Sequence, residues 1–278
     1  MITNNITHYN LSDYYDYIFF DGINYKEIEG CNETIKIYQD EEIIFEIGVI
    51  FEIGRLIEKY EMPVLGYTPE HNAYPYNYMI GSEAQRRDAI DYLKLSLEMA
   101  KEMGAEFVLT SPANGGYLAT YDQLWSRLEK NIQELGDYAA KLEIKLVVEA
   151  LTPYESNFFT RANDLVELFR RVDNPYVVGM CDIVPPFVQH ESIMAYFDKL
   201  GNKMDHMHII DGENGSDTHL IPGEGNIPIK EMLYEMKRIG YDKTATLELV
   251  TNYINEPRFY AKRAIDNMRE LMAEAGIV

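Results

Sequence analysis

The chain has 278 residues, 46% hydrophobic and 26% charged, enough for a globular domain that buries roughly three quarters of the surface its unfolded form exposes. Lys and Arg total 25 against 46 Asp and Glu, and a formal charge of −21 repels both nucleic-acid backbones and anionic membranes. No run approaches about 18 consecutive apolar residues, the N-terminus lacks the basic start of a secretory signal, and the two cysteines lie far apart. The expectation is a cytoplasmic protein without membrane span, nucleic-acid partner or disulfide.

The first sixty residues are rich in Ile, Tyr, Asn and Glu. They contain a near-tandem repeat, Ile44-Phe45-Glu46-Ile47-Gly48-Val49 followed by Ile50-Phe51-Glu52-Ile53-Gly54. The span 41–61 reads as a helix weakened by two glycines. Tyr17 to Phe20 or Gly22 to Tyr25 reads as a strand, and two complete βα units are hard to place here.

From residue 63 short apolar runs alternate with helical patterns. The runs are Pro63 to Tyr67, Glu106 to Thr110, Ile144 to Glu149, Val177 to Asp182, Met204 to His208 and Thr244 to Leu249. Each reads as a short strand, mostly too apolar to have a solvent face. Ser82 followed by Gln85 is a capping-box pattern that opens a helix closing near Gly104. Gly136 and Gly240 read as the ends of two further helices, and Pro257 sits just inside the start of the last. Alternating strand and helix means parallel βαβ units. Eight such units over about 250 residues predict an α/β TIM barrel, with residues 1–278 as one domain and its first unit or units divergent. An open doubly wound sheet competes, although no Gly-rich phosphate loop follows any strand.

Four strand ends carry a residue that ligates hard or borderline cations: Glu149, Asp182, His208 and Glu248, spaced by 33, 26 and 40 positions. In a parallel barrel the C-terminal strand ends meet at one mouth. Three carboxylates at close range without a cation repel and do not all stay ionised. An O3N donor set suits Mn²⁺, Co²⁺ or Zn²⁺. Each residue also has an ordinary reading, since a strand-end carboxylate often caps the next helix or pairs with Arg. His206 and His208 point to the same side of their strand, and one of them is readable as a packed, hydrogen-bonded core histidine.

Further polar groups lie beyond these ends. Glu155 follows Glu149 by six residues, and Asp217-Thr218-His219 precedes Pro222-Gly223-Glu224-Gly225. Tyr67, Glu70, His71 and Asn72 follow or close the strand at 63–67, and Tyr74-Pro75-Tyr76 offers either a stacking surface or a loop packed on its own rings.

At these residues the sequence resembles the sugar isomerase/epimerase TIM barrels related to xylose isomerase and endonuclease IV. The resemblance rests on Gly66-Tyr67-Thr68-Pro69-Glu70, Tyr74-Pro75-Tyr76-Asn77, Glu149 to Asn157 (EALTPYESN), Tyr196 to Gly201, Ser216 to Gly225 (SDTHLIPGEG) and Glu248-Leu249-Val250-Thr251. It runs from about residue 61 to 270 and is most specific to the ketosamine 3-epimerase branch, which interconverts fructoselysine and psicoselysine. The resemblance implies one divalent cation, Mn²⁺ or else Co²⁺, Ni²⁺ or Zn²⁺, on Glu149, Asp182, His208 and Glu248. It implies that Glu149 and Glu248 are also the acid/base pair: one takes the C3 proton, leaving a cis-enediolate, and the other returns a proton from the opposite face. Glu155, His219, Glu70 and Tyr67 become substrate-binding residues. Pro185 replaces a His that related ketose epimerases place near O1 and O2, which suits an amine substituent at C1. A homo-oligomer, dimer or tetramer, is the group's habit.

Three other readings compete. One is a 3-epimerase or isomerase of an unmodified ketose. Another is an abasic-site nuclease, which needs three zinc ions and more histidines than the six present. The last is a barrel that binds without turnover.

Overall fold

The computed structural model describes residues 57–72, 76–213, 215–250 and 253–277, and the backbone of four short strands nearer the N-terminus. The chain divides into two compact units, residues 1–64 with 102–104, and residues 65–101 with 105–278.

In the first unit β1 (Ile6–His8) pairs antiparallel with β2 (Phe19–Phe20), and β3 (Thr34–Gln39) with β4 (Glu42–Gly48). The helix expected over 41–61 is therefore corrected over Glu42–Gly48, which is a strand. Its Ile43, Ile44, Phe45 and Ile47 are β-branched or aromatic residues that suit a pleated surface. Pairing runs from Thr34 opposite Gly48 to Gln39 opposite Glu42. Helix is found only at 57–60 among the described residues of that span. The strand expected at Tyr17 to Phe20 is met at Phe19–Phe20. The alternative at 22–25, the second copy of the repeat, Cys31, Tyr74 and Pro75 lie outside the described residues.

The second unit holds all six strands expected after residue 63. They are β5 (Gly66–Tyr67), β6 (Phe107–Thr110), β7 (Lys145–Val148), β8 (Val177–Asp182), β9 (Met204–Ile209) and β10 (Thr244–Leu247). They form one parallel sheet in the order β10-β9-β8-β7-β6-β5. A doubly wound sheet reverses its strand order at a switch point. Here the order never reverses, which is barrel winding and removes the competing fold. β6, β8 and β9 are buried throughout, whereas β10 is half-exposed and departs from the apolar expectation.

Alternation along the strands decides what faces inward. Phe107 and Leu109 of β6, Val147 of β7, and Val178 and Met180 of β8 pack as one buried cluster. The same parity continues to Glu149 just past β7 and to Asp182 at the end of β8. On β9 it selects His206, whose ring lies 4.7 Å from that of Phe107, and then His208. Apolar side chains thus fill the lower barrel, and ionisable ones complete the same columns at the top.

The helices are α1 (Glu83–Glu102), α2 (Tyr121–Leu142), α3 (Ala162–Arg171), the short α4 (Val184–Val188) and α5 (Met194–Leu200), α6 (Ile229–Ile239) and α7 (Pro257–Glu274). The Ser82/Gln85 capping box is present: the Ser82 N–H donates to Gln85 Oε1 at 2.9 Å, and the Gln85 N–H to Ser82 Oγ at 3.3 Å. Gly240 ends α6 in the left-handed conformation, and Pro257 opens α7. Gly136 does not end its helix, because α2 runs on to Leu142 and is capped by Glu143. A Cβ at Gly136 would stand 2.4 Å from Val177 Cγ2, so the glycine serves close approach of α2 to β8. Gly136→Ala is expected to be a net loss. Helix propensity favours Ala by about 1 kcal/mol, but overpacking against a strand residue costs about 1–3 kcal/mol. Calorimetry should show a Tm lower by about 2–4 °C; a higher Tm would mean that α2 retreats freely. No helix of the described residues is long and apolar enough to cross a membrane.

Candidate active site

Glu149, Asp182, His208 and Glu248 come together. The ligand atoms of Glu149, Asp182 and His208 lie within 4.8 Å of one another, as do those of Asp182, His219 and Glu248, so Asp182 joins two triads into one cluster. His208 Nδ1 stands between two carboxylates, 3.3 Å from Glu149 Oε1 and 3.2 Å from Glu248 Oε2.

That nitrogen is buried and makes no hydrogen bond among the described residues, although oxygens approach it from two sides. A buried imidazole nitrogen lacking a hydrogen bond is costly unless something else satisfies it. A divalent cation drawn toward this nitrogen and the carboxylates removes the cost, and the mixed carboxylate and imidazole donors suit a borderline metal. The residues present therefore fit the expected cation.

The electrostatics carry the same signature of crowded acids. Burial pushes the Glu149 carboxyl above its ordinary range, against the pull of His208. Asp182 is driven up to about 6, first by burial. Burial alone would lower His208, but the Glu149 and Glu248 carboxylates raise it well above the usual imidazole range. Glu248 also suffers burial, yet His208 and His219 hold its carboxyl well below the ordinary range.

Asp182 serves two roles at once. Its Oδ1 accepts the N–H of Val184, the first residue of α4, at 2.7 Å, while Oδ2 lies 3.8 Å from His219 Nε2. His206 takes the ordinary reading completely. It is buried, and its two ring nitrogens bond Thr244 Oγ1 at 2.7 Å and Thr246 Oγ1 at 3.0 Å. Burial lowers its pKa to about 4, so it remains a neutral pin between β9 and β10.

His219, an expected substrate-binding residue, borders the cavity and also reaches the strand-end acids. Its Nε2 is 3.2 Å from Glu248 Oε2 and its Nδ1 is 3.1 Å from Asp217 Oδ1. Burial acts to lower it, and Asp182, Asp217 and Glu248 outweigh burial, raising it to about 12. Asp217 continues the chain of contacts: its Oδ2 lies 3.1 Å from Thr152 Oγ1, which is 2.8 Å from Glu155 Oε2. One hydroxyl proton serves two carboxylates there. Desolvation raises the Glu155 carboxyl.

Glu149, Asp182 and Glu248 border a cavity of about 210 Å³. Its wall includes Glu70, Glu155, Pro185 and His219 with the strand-end acids. Tyr67, on β5, is half-buried, and the wall begins one residue later at Thr68. Tyr76 stacks on Tyr92 of α1 at 4.1 Å, so this ring packs against a helix. Two residues organise the site beyond these: His71, read in the sequence only as a polar group of its loop, and Asp211, which goes unread there. His71 Nε2 accepts the Ser111 N–H at 2.9 Å and its Nδ1 faces the Pro69 carbonyl at 2.7 Å, tying the β5 loop to the β6 loop. Buried Asp211 ties the loop after β9. A buried side chain bonded to distant backbone leaves no local pattern by which to find it.

Residues 23–271 match the xylose isomerase-like TIM barrel family. The chain belongs to that family. It is 47% identical over 227 residues, 82% of either chain, to fructoselysine 3-epimerase of Shigella flexneri, and equally to that of Escherichia coli O157:H7. With these relatives the barrel is a sugar epimerase. Among solved structures, a D-tagatose 3-epimerase-like protein superposes with a TM-score of 0.68 at 21% identity, covering 82% of this chain and 83% of its own. The IOLI protein with a bound zinc atom gives a TM-score of 0.65 at 19% identity, covering 80% and 81%. At such identities these two structures speak for the fold alone.

Proposed function

We propose that the barrel inverts C3 of a ketosamine, converting fructoselysine to psicoselysine with one divalent cation held by Glu149, Asp182, His208 and Glu248. The observation that carries the cation is His208 Nδ1, buried without a hydrogen bond between the carboxylates of Glu149 and Glu248. The substrate class rests on the relatives at 47% identity. When bound, such a cation polarises the ketose carbonyl and makes the neighbouring C3–H acidic.

The protein's own part is proton traffic. C3 epimerisation breaks one C–H bond and makes another on the opposite side of the same carbon, with no net redox change. It requires one carboxylate that accepts the C3 proton and one carboxylic acid that supplies a proton from the other side. Glu149 and Glu248 flank His208 and fill these two roles. Glu155, His219 and Glu70 border the cavity from three different loops; Glu155 and His219 bind the sugar hydroxyls, and Glu70 meets the substituent. A metal ligand set on strand ends, rather than on loops, holds the reacting carbon to one geometry.

The test is proton NMR in D₂O, with protein loaded with Mn²⁺ and the metal chelated before spectra are read. Selective loss of the C3 proton of fructoselysine is expected, along with loss of all exchange when EDTA is added before the substrate, and restoration by Mn²⁺. Exchange only with free fructose would move the assignment to a general ketose epimerase. Elemental analysis should find about one metal per chain, as a single cluster of this kind implies; three zinc ions would favour the nuclease reading.

A further inference from the structure

We propose that Glu70 is the receptor for an ammonium group carried by the substrate's amino substituent, and so selects ketosamines over free ketoses. The inference rests on the ketosamine reading above. Among the described residues five carboxylates border the cavity (Glu70, Glu149, Glu155, Asp182 and Glu248), and no lysine or arginine does. Glu149, Asp182 and Glu248 are engaged in the histidine cluster, and Glu155 is engaged with Thr152. Glu70 stands apart from both groups. Its Oε1 accepts the Asn72 N–H at 3.2 Å, and no basic side chain among the described residues pairs with it.

The backbone on either side of Glu70 is fixed. Pro69 is held through its carbonyl by His71 Nδ1, and His71 Nε2 takes the Ser111 N–H at 2.9 Å and lies 2.8 Å from Thr110 Oγ1. Asn72 accepts the Ser111 hydroxyl at 2.6 Å through Oδ1. Burial lowers the pKa of His71 and keeps it neutral, so the residue beside Glu70 does not neutralise it. An exposed carboxylate is therefore held at the wall by a loop whose own polar groups are already satisfied. Such preorganisation lowers the cost of capturing a cation.

A ketose alone offers this carboxylate only hydroxyls. A ketosamine offers a secondary ammonium at C1, and a ketosamine of lysine also offers a terminal α-ammonium. Both are hydrogen-bond donors with a full charge, the partner that an acidic wall favours. Pro185, on the same wall, contributes no donor that would compete for Glu70.

The experiment compares wild type, Glu70→Gln and Glu70→Asp as full-length, Mn²⁺-loaded protein. The probes are fructoselysine, Nα-acetyl-fructoselysine and fructosyl-butylamine as substrates, with free fructose as a competitor. Glu70→Gln should raise KM for ketosamines at least about 10-fold, as loss of a charge-assisted hydrogen bond does. It should leave kcat and the Ki of fructose within about 2-fold, and Glu70→Asp should recover part of the loss while added salt weakens binding in wild type. Equal losses on fructosyl-butylamine and fructoselysine would place the C1 ammonium on Glu70. A loss on fructoselysine but not on its Nα-acetyl form would place the terminal ammonium there. An unchanged KM, or an equal change for ketosamines and fructose, would overturn the proposal while leaving the ketosamine reading intact. A wild type that epimerises fructose and no ketosamine would overturn both.

Discussion

Glu248→Gln is expected to abolish proton exchange at C3 while the barrel stays folded. The substitution keeps the shape of the side chain and removes its charge, so the loss falls on chemistry rather than on packing. Glu248 follows half-exposed β10, and its own side chain is 35% exposed, so the fold depends on it little. Removing a positioned acid/base group slows a proton transfer by about 10²–10⁴-fold. Solvent deuterium incorporation into the ketosamine should fall at least that far, with Tm within a few degrees of wild type. Near-normal incorporation would refute the acid/base role. Because Glu248 is also proposed as a ligand, the Mn²⁺ content of the variant separates the two contributions. A variant that keeps its metal and loses exchange has lost a proton carrier, and one that loses both has lost a ligand.

Why this much of the site is legible in the sequence follows from strand geometry. Side chains along a strand alternate in and out with period two. Reading Val147 and Glu149, or Met180 and Asp182, as one inward column therefore requires only the strand boundaries, which the apolar runs supply. The same argument brings His206 and His208 to one side of β9 without saying which of them is the ligand. That choice depends on Thr244 and Thr246, about forty residues downstream, which satisfy both nitrogens of His206 and leave His208 to the carboxylates.

Other features stay hidden for equally physical reasons. Gly136 looks like a helix end because a glycine commonly stops a helix. Here it answers to Val177, forty-one positions away, which no local window contains. Glu42–Gly48 carries residues that fit a helix face or a pleated strand, and pairing with Thr34–Gln39 selects the strand. His219 lies on a loop, so no strand parity shows from the sequence that it also reaches Asp182 and Glu248. Its φ of 45° is a left-handed conformation that a non-glycine residue adopts only when its surroundings impose it.

Asp211 anchors the loop that carries His219, and Asp211→Ala is expected to be among the most damaging single changes in this barrel. The side chain is buried, and its carboxylate gathers three backbone donors of the 211–227 loop. Oδ1 accepts from Gly212 and Ile227, and Oδ2 from Gly223, each at 2.9 Å. The backbone of Asp211 pairs with Leu220 in both directions at 2.7 Å, immediately beside His219. Gly225 folds over the carboxylate so closely that a Cβ there would lie 2.4 Å from Asp211 Oδ1. Removing the carboxylate leaves these donors without an acceptor, and stranding several such groups costs about 3 kcal/mol or more, roughly 6–12 °C of Tm. Asn at 211 keeps one oxygen and should lose less than Ala. The site should respond as well, because the loop that loses its anchor carries both Asp217 and His219. At temperatures well below the variant's Tm, exchange at the ketosamine C3 should fall about 10-fold or more, since a small misplacement of positioned groups costs that much. A variant with near-normal exchange and a lowered Tm would show that the loop tethers stability alone, with His219 held in place by Asp182 and Glu248.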